Sequence, residues 1–328
     1  MQFSHNFSMT FDNVLGKKYR FFYMGIAILW IVGYHLYIHD IDFYDNHFKI
    51  IRTIFKYGYV GVDIFFFFSA YGLCYSYSNS SLKDFYKKRF IRIVPIYLIF
   101  EVIKFCIGTS EDLKAFCYHR VLEITSLFVI QTPITCPNEI RLGWFVPSII
   151  NLYLVFPLLF KCIRYLYSKR PYIQFIFIIL LFFSCHFLWG YIHGLYISRI
   201  PIICVGIFTF FLLKDKKYDG LFLLYALFAS LTYFIDRDNL RLSCLVPLIL
   251  YAISMYTPRI NELFFKGMSK VGEMTYEIFL AHCYVGLYCP KKAILKTWLI
   301  VVVGTILLTV ILHFVNKKIS LFLQNLNK

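Results

Sequence analysis

Charged residues are scarce in this chain, and acidic ones are the scarcest. Asp, Glu, Lys and Arg together make up 16% of its 328 residues, against about 25% in soluble domains. Hydrophobic residues make up 59% and aromatic residues 21%. The chain therefore has too few charges for an ordinary soluble enzyme and too many apolar residues for a disordered tail. This composition predicts a protein whose partner is the lipid bilayer.

Two further patterns are missing. The chain has ten cysteines, but no two of them stand in the Cys-x-x-Cys spacing of zinc and redox sites. We therefore expect the cysteines to pack as small hydrophobic side chains and predict no metal site. The net charge of +16 comes without a Lys/Arg-rich tract on a soluble fold, so we predict no nucleic-acid partner. In a membrane protein such an excess reflects basic residues kept in cytoplasmic loops.

Apolar windows long enough to cross ~30 Å of hydrocarbon recur along the chain. We predict about ten transmembrane helices, near residues 21–38, 59–77, 91–108, 144–163, 172–190, 197–213, 219–235, 241–257, 275–290 and 295–315. If the amino terminus is cytoplasmic, most Lys and Arg residues fall on inside segments, so both termini are predicted to be cytoplasmic.

The predicted fold class is an all-α, polytopic protein of the cell (inner, cytoplasmic) membrane. We expect a single membrane domain over residues 1–328, with its largest outer loop at about 109–143. That loop is polar, and we expect it to hold a short interfacial helix over residues 120–131. No internal repeat is visible, and the oligomeric state is not predicted.

Ionisable residues inside membrane spans are costly, so each one is a candidate for function. Four positions stand out: His35, Asp63, the pair Arg89 and Arg92, and His282. Each also has a plainer interpretation. A histidine can be a neutral core residue bonded to a carbonyl, an aspartate at a helix start can cap it, and arginines can be positive-inside anchors. Single positions leave these alternatives open.

Five segments, taken together and in order, favour a functional interpretation of these residues. They are Met24-Gly-Ile-Ala-Ile-Leu-Trp-Ile-Val-Gly-Tyr-His35, Gly61-Val-Asp-Ile-Phe-Phe-Phe-Phe-Ser-Ala70, Phe85-Tyr-Lys-Lys-Arg-Phe-Ile-Arg-Ile-Val-Pro-Ile-Tyr97, Trp144-Phe with Tyr153 and Pro157, and Gly272-Glu-Met-Thr-Tyr-Glu-Ile-Phe-Leu-Ala-His282. This ordered set resembles the signatures of the acyltransferase 3 family of membrane acyltransferases. The resemblance spans residues 20–285, which is most of the chain.

The resemblance implies a function. Members of this family move an acyl group, usually acetyl, from cytoplasmic acyl-CoA to a hydroxyl of a cell-surface or lipid-linked carbohydrate. We therefore expect an acyl-CoA:carbohydrate O-acyltransferase with acetyl-CoA as co-substrate and a polysaccharide or lipid-linked glycan as acceptor.

The resemblance also implies roles for particular residues. His35 is the expected general base, with Asp63 orienting it or stabilising its charged form. Arg89 and Arg92, three apart on one helical face, are expected to bind the CoA phosphates, and Arg20 is a third expected cofactor-binding residue. Further expected site residues are Ser69, Trp144, Tyr153, Tyr276 and His282.

One departure from the family pattern concerns the first helix. The basic residue that the family places eleven before the histidine falls on Met24 here. Arg20 lies one helical turn earlier on the same face, so its long side chain is expected to supply the missing charge. Between Arg20 and His35 the helix would rise about 22 Å, which places the histidine towards the outer side of the membrane.

Two other hypotheses belong to different classes. A carbohydrate or lipid transporter or flippase could use the same polar cavity within the membrane, although transporter folds commonly contain internal repeats. A catalytically inactive assembly partner is the third hypothesis, motivated by Met24.

Overall fold

The computed structural model describes residues 17–39, 49–108, 113–124, 145–188, 197–234, 238–254, 260–288 and 294–325. Every regular element within these ranges is helical, so the predicted all-α class is confirmed. The α-helices in the described ranges are α1 (Lys17–His39), α2 (Lys49–Lys56), α3 (Gly61–Ser78), α4 (Leu82–Gly108), α5 (Leu113–Ile124), α6 (Phe145–Tyr167), α7 (Pro171–Leu188), α8 (Ile200–Lys214), α9 (Tyr218–Ser230), α10 (Asp238–Ser254), α11 (Glu262–Glu273), α12 (Thr275–Tyr288) and α13 (Ile294–Asn325). Short 3₁₀ turns follow α2 (Gly58–Val60) and α9 (Leu231–Phe234).

Several of these helices are long and apolar enough to cross a bilayer. Within the described residues five segments qualify: Tyr19–Ile38, Lys49–Ser78, Phe145–Tyr167, Pro171–Leu188 and Val302–Leu323. Shorter apolar helices occupy Ile200–Lys214, Tyr218–Phe234 and Leu242–Ser254. A helix lies in each of the predicted windows, but the count of about ten spans and the cytoplasmic termini stay predictions.

The segment 109–143, predicted to be an outer loop, contains a helix that overlaps the first five residues of the predicted 120–131. Helix α5 begins at Leu113 and ends at Ile124, earlier than the predicted 120–131. Lys114 and Ala115 are strong helix formers, which accounts for the earlier start. The rest of the predicted interfacial helix lies outside the described residues.

Contacts divide the chain into two compact units. Unit 1 comprises Met1–Tyr75, Leu158–Trp189 and Ile197–Thr275, and unit 2 comprises Ser76–Pro157, Gly190–Tyr196 and Tyr276–Lys328. That the whole chain is one membrane domain stays a prediction.

The core of unit 1 surrounds α8, which is buried at every position from Pro201 to Leu213. A helix that is hydrophobic on all sides is expected in the centre of a bundle. At one side of this unit α11 packs tightly on α1. A Cβ on Gly272 would collide with the carbonyl oxygen of Phe21, and one on Gly25 with that of Met268. Glycine therefore lets these two backbones touch.

In unit 2, α4 packs antiparallel to α6. The ring of Phe85 stacks on Phe156 with centroids 5.8 Å apart, and the Tyr86 hydroxyl donates a hydrogen bond to the Leu154 carbonyl at 2.9 Å. Helix α5 is tied to α4 by a buried ion pair between Arg120 and Glu101. This pair gives the Glu101 carboxylate a counter-ion inside the predicted membrane window at 91–108.

Candidate functional site

Helices α1 and α3 of unit 1 lie antiparallel, which fixes the level of each candidate residue along them. Three glycines lie so close to α1 that an added Cβ would meet it: Gly72 lies against the Arg20 side chain, Gly61 against Ala27 and Ile31, and Gly58 against Trp30 and Tyr34. On this register Asp63 lies about level with Ala27, about eight residues before His35. The offset between Asp63 and His35 is therefore roughly 12 Å along the axis.

His35 lies near the carboxyl end of α1 and is half-buried. Its ring lies 5.5 Å from the ring of Tyr34, centroid to centroid, and Tyr34 in turn meets Tyr59 edge to face at 5.6 Å. The imidazole is thus neither sealed in the core nor fully in solvent. This exposure suits a base that must meet a substrate, and its role stays a prediction.

Asp63 is the centre of a buried polar cluster. Its carboxylate is fully buried and pairs with the Arg199 guanidinium at 2.9 Å. It also accepts a hydrogen bond from the Ser243 hydroxyl at 2.8 Å. The cluster joins α3, α10 and the residue before α8, all within unit 1. The described contacts of Asp63 are therefore with Arg199 and Ser243, and its predicted action on His35 remains a prediction.

Arg20 lies at the opposite end of the α1–α3 pair from His35. Its guanidinium rests against Gly72 and lies 5.2 Å from the Phe21 ring centroid. Met24 and Ser69 are half-buried on α1 and α3. Between them the Tyr23 and Phe68 rings stack at 5.5 Å, which confirms that these two helices touch at this level.

Unit 2 holds the second group of candidates. The Arg89 guanidinium on α4 lies near two aromatic rings, 5.7 Å from the centroid of Phe85 and 6.0 Å from that of Tyr153, and it also forms a hydrogen bond with the Tyr153 side chain. Its Nε is buried and has no hydrogen-bond partner among the described residues. Arg92, one turn further along, is exposed. Contacts with aromatic rings help to hold a guanidinium in place and leave its remaining donors available to a ligand.

Tyr276 connects α12 to α4. Its hydroxyl donates a hydrogen bond to the Ile93 carbonyl at 3.0 Å, between Arg92 and the Pro95 that interrupts the hydrogen-bond ladder of α4. The structure thus places Arg89, Tyr153 and Tyr276 in the same unit.

His282 lies six residues after Tyr276 on α12. It is buried, its Nδ1 is 3.0 Å from the Ile278 carbonyl oxygen, and its ring meets Phe279 edge to face at 5.2 Å. A buried histidine bonded to its own helix is the plainer interpretation that the sequence left open, and a site role stays a prediction. Trp144 lies outside the described residues.

Several polar residues of these units were not predicted. Arg199 and Ser243 complete the Asp63 cluster, and the buried Glu277 on α12 accepts a hydrogen bond from the Asn316 amide at 2.7 Å while facing His313 at 3.4 Å. Glu277 and His313 both lie inside predicted spans. Because ionisable residues are costly in a membrane, their position in the sequence could have identified them as candidates. Arg199 stands at the start of an apolar window. A buried cation there requires a counter-ion, so this position could have predicted an acidic partner.

Among the described residues no group of three or more His, Cys, Asp or Glu side chains is placed to hold a metal ion. That the protein needs no metal ion for its function stays a prediction.

The helices and their apolar spans define a helical membrane protein. The model of the acyltransferase domain of the acyltransferase 3 family matches residues 25–315. Because this match covers nearly the whole chain, the chain belongs to the acyltransferase 3 family. The comparisons with curated proteins and with solved structures give no match.

Proposed function

We propose that this membrane acyltransferase moves an acyl group, taken to be acetyl, from cytoplasmic acyl-CoA to a hydroxyl of a surface polysaccharide or lipid-linked glycan. The protein would lie in the cytoplasmic membrane, with acyl-CoA entering from the cytoplasm and the glycan from the other side. Family membership supports an acyltransferase in general. The donor, the acceptor and the residue roles are the proposal.

The observation that carries the proposal is the setting of Arg89. A guanidinium beside two aromatic rings, with a buried Nε donor that has no partner among the described residues, is well suited to a phosphate ligand. Arg92 adds a second, exposed cation one turn away. Phosphate groups bind such paired arginines through charge-assisted hydrogen bonds, and acyl-CoA carries several phosphates.

His35 would perform the chemical step. It accepts the proton of the acceptor hydroxyl while the hydroxyl oxygen attacks the thioester carbonyl carbon. The carbon–sulfur bond then breaks, and the CoA thiolate takes up the proton from His35. The products are an O-acyl ester and free CoA, so atoms and charge balance.

The test is acyl transfer by membranes prepared from cells that carry His35→Ala. Radiolabelled acetyl-CoA is added to these membranes, and the label in the surface glycan is measured. We expect the wild type to label and His35→Ala to lose at least about a hundredfold, in line with the loss of a general base. The matched control is His186→Ala, which removes another half-buried histidine that has no role in the proposal.

Equal labelling in the wild type and in His35→Ala would contradict the proposed role of His35 as the general base. If the purified protein instead moved an unmodified glycan across vesicles without acyl transfer, the transporter hypothesis would replace this one.

A further inference from the structure

Helix α13 carries a row of polar side chains within an apolar segment. Thr305, Thr309, His313 and Asn316, here called the α13 polar row, follow one another at intervals of four, four and three residues. At 100° per residue they fall within a sector about 80° wide. Thr305 and Thr309 are 8% and 4% exposed, and Leu312, in the same sector, is 3% exposed. This side of α13 therefore faces into unit 2.

Each residue of the row has a buried polar atom without a hydrogen-bond partner among the described residues. These atoms are the Thr305 Oγ1, the Thr309 Oγ1, the His313 Nδ1 and the Asn316 Oδ1. A buried polar atom that makes no hydrogen bond is costly in an apolar medium and rare in folded proteins. Four such atoms on one side of a single helix indicate that a polar ligand supplies the missing bonds.

One end of the row meets a buried carboxylate. Glu277 on α12 is 4% exposed, and its Oε1 accepts a hydrogen bond from the Asn316 amide at 2.7 Å. The same oxygen lies 3.4 Å from the His313 Nδ1, and the His313 side chain is 35% exposed. Thr305, at the other end of the row, stands at the midpoint of the span predicted at 295–315. The row thus leads from one edge of that span to its middle.

The spacing of the row favours water as its ligand. Four residues of α-helix rise about 6 Å, and a water bonded to two polar atoms spans about 5.6 Å, because each bond is about 2.8 Å long. One water therefore fits the step from Thr305 to Thr309, and another fits the step from Thr309 to His313. Hydroxyl and imidazole groups can donate to one water and accept from the next. Buried waters are found where two to four such partners surround them.

We infer that the α13 polar row holds a water wire, a line of hydrogen-bonded waters, which carries protons between the Glu277–His313 end and the middle of the predicted span. Each water and hydroxyl accepts one proton as it releases another, so nothing is consumed and charge balances. His313 exchanges the proton at the entrance, because imidazole titrates between about pH 5 and 8. The inference does not depend on the proposed acyl transfer, in which no residue of the row takes part.

Other ionisable groups lie at this end of unit 2. Tyr276 interacts electrostatically with Glu277, and its hydroxyl bonds the carbonyl of Ile93. Arg89 and Arg92 lie within about one turn of Ile93 on α4, which packs on α13. Tyrosine and arginine keep their protons at neutral pH. Glu277 and His313 are therefore the groups at the entrance that are suited to exchanging one.

The test places a thiol at the inner end of the row, in the variant Thr305→Cys. A thiol reacts with methyl methanethiosulfonate as its thiolate, so labelling requires the thiol proton to leave. The reagent is small and uncharged, so it also reaches positions that face lipid. The matched control is Ile306→Cys, at the same depth but 57% exposed on the outer side of α13. In the blocked variant, Thr305→Cys/Thr309→Val, an apolar group of the same shape replaces the next hydroxyl.

The purified full-length protein is labelled in phosphatidylcholine vesicles. The peptide that carries each new thiol is quantified by mass spectrometry, which separates it from the native cysteines. We expect Thr305→Cys to react at least about tenfold faster than Ile306→Cys and than the blocked variant, since a thiol in apolar surroundings ionises far less than one in contact with water. Equal rates in Thr305→Cys and Ile306→Cys overturn the inference, and so does a rate that Thr309→Val leaves unchanged.

If Thr305→Cys does not fold, Thr309→Val alone decides. A hydroxyl that is buried without any hydrogen bond costs free energy, so its removal from a dry row raises the midpoint of unfolding. Removal of a hydroxyl that binds the water wire leaves the midpoint equal or lowers it. A raised midpoint overturns the inference, and an equal or lower midpoint supports it.

Discussion

Two arginines, Arg199 in unit 1 and Arg89 in unit 2, differ in the partners that the structure gives them. In unit 1, Asp63 and Arg199 neutralise each other, and Ser243 adds a hydrogen bond within the cluster. In unit 2, Arg89 has aromatic rings beside it and a buried Nε donor without a partner among the described residues. A charge that is paired with a counter-ion contributes to folding, whereas a guanidinium whose described contacts are two rings and the Tyr153 side chain keeps donors for a ligand.

This comparison predicts its largest effect at the paired charge. Asp63→Ala leaves the Arg199 guanidinium buried without its counter-ion, so we expect a loss of about 3–5 kcal/mol in the free energy of unfolding. Denaturant unfolding in detergent measures it. Removing both charges, in Asp63→Ala/Arg199→Ala, should recover a large part of the loss. A double variant as unstable as the single one would show that the pair does not act as a unit.

The next effect concerns the tight contact between α1 and α11. In Gly272→Ala the new Cβ would overlap the Phe21 carbonyl oxygen, so we expect a loss of about 1–3 kcal/mol from overpacking. The control is Gly267→Ala in the same helix, where an added Cβ has no heavy atom within 4 Å. That change should be neutral or stabilising, since alanine favours helix. Equal unfolding midpoints for the two variants would contradict this packing.

A smaller effect is expected in unit 2. Tyr276→Phe removes the hydrogen bond to the Ile93 carbonyl and keeps the ring, so the free energy of unfolding should fall by about 0.5–1.5 kcal/mol. Tyr165→Phe, which changes an exposed hydroxyl, is the control. If Tyr276→Phe changes stability no more than Tyr165→Phe does, the bond between α12 and α4 contributes nothing.

The smallest effect lies on the exposed turn after α8. The Tyr167 hydroxyl donates a hydrogen bond to Asp215 at 2.7 Å, and this bond, with Lys217 nearby, lowers the pKa of Asp215. Because the folded-state pKa lies below the unfolded one, the contribution is present above about pH 4 and is lost as the pH falls through the folded-state pKa. For so exposed a group we expect less than about 0.5 kcal/mol.

Tyr167→Phe should raise the pKa of Asp215 and reduce that small acid dependence, which unfolding curves at two pH values would measure. An acid dependence identical in Tyr167→Phe and the wild type would assign the effect to other carboxylates.

The sequence predicted the helical class and the family because both depend on local patterns. Apolar windows mark helices directly, and the motifs around His35, Asp63 and Arg89 are contiguous runs. The partners of those residues could not be predicted in the same way. Ser243 lies 180 residues from Asp63, and no periodicity links a serine in one helix to an aspartate in another.

Helix α2 is an element that the sequence did not predict. Its residues precede the predicted window at 59–77, and their basic and apolar positions alternate at helical spacing over only eight residues. Such a short helix is marginal by itself, so its sequence was a weak signal. The contacts of Trp30 and Phe55 with α1 stabilise it, and those are tertiary.

The most direct test of the central claim is the binding of acetyl-CoA to the purified protein with and without the ring-held arginine. Isothermal titration would compare the wild type with Arg89→Ala and with Lys83→Ala, which removes an exposed cation from the same helix. We predict that Arg89→Ala weakens the Kd by about 10- to 100-fold, since a hydrogen bond to a charged group contributes about 1.5–3 kcal/mol, and that Lys83→Ala stays within about twofold. An unchanged Kd in Arg89→Ala would contradict the account.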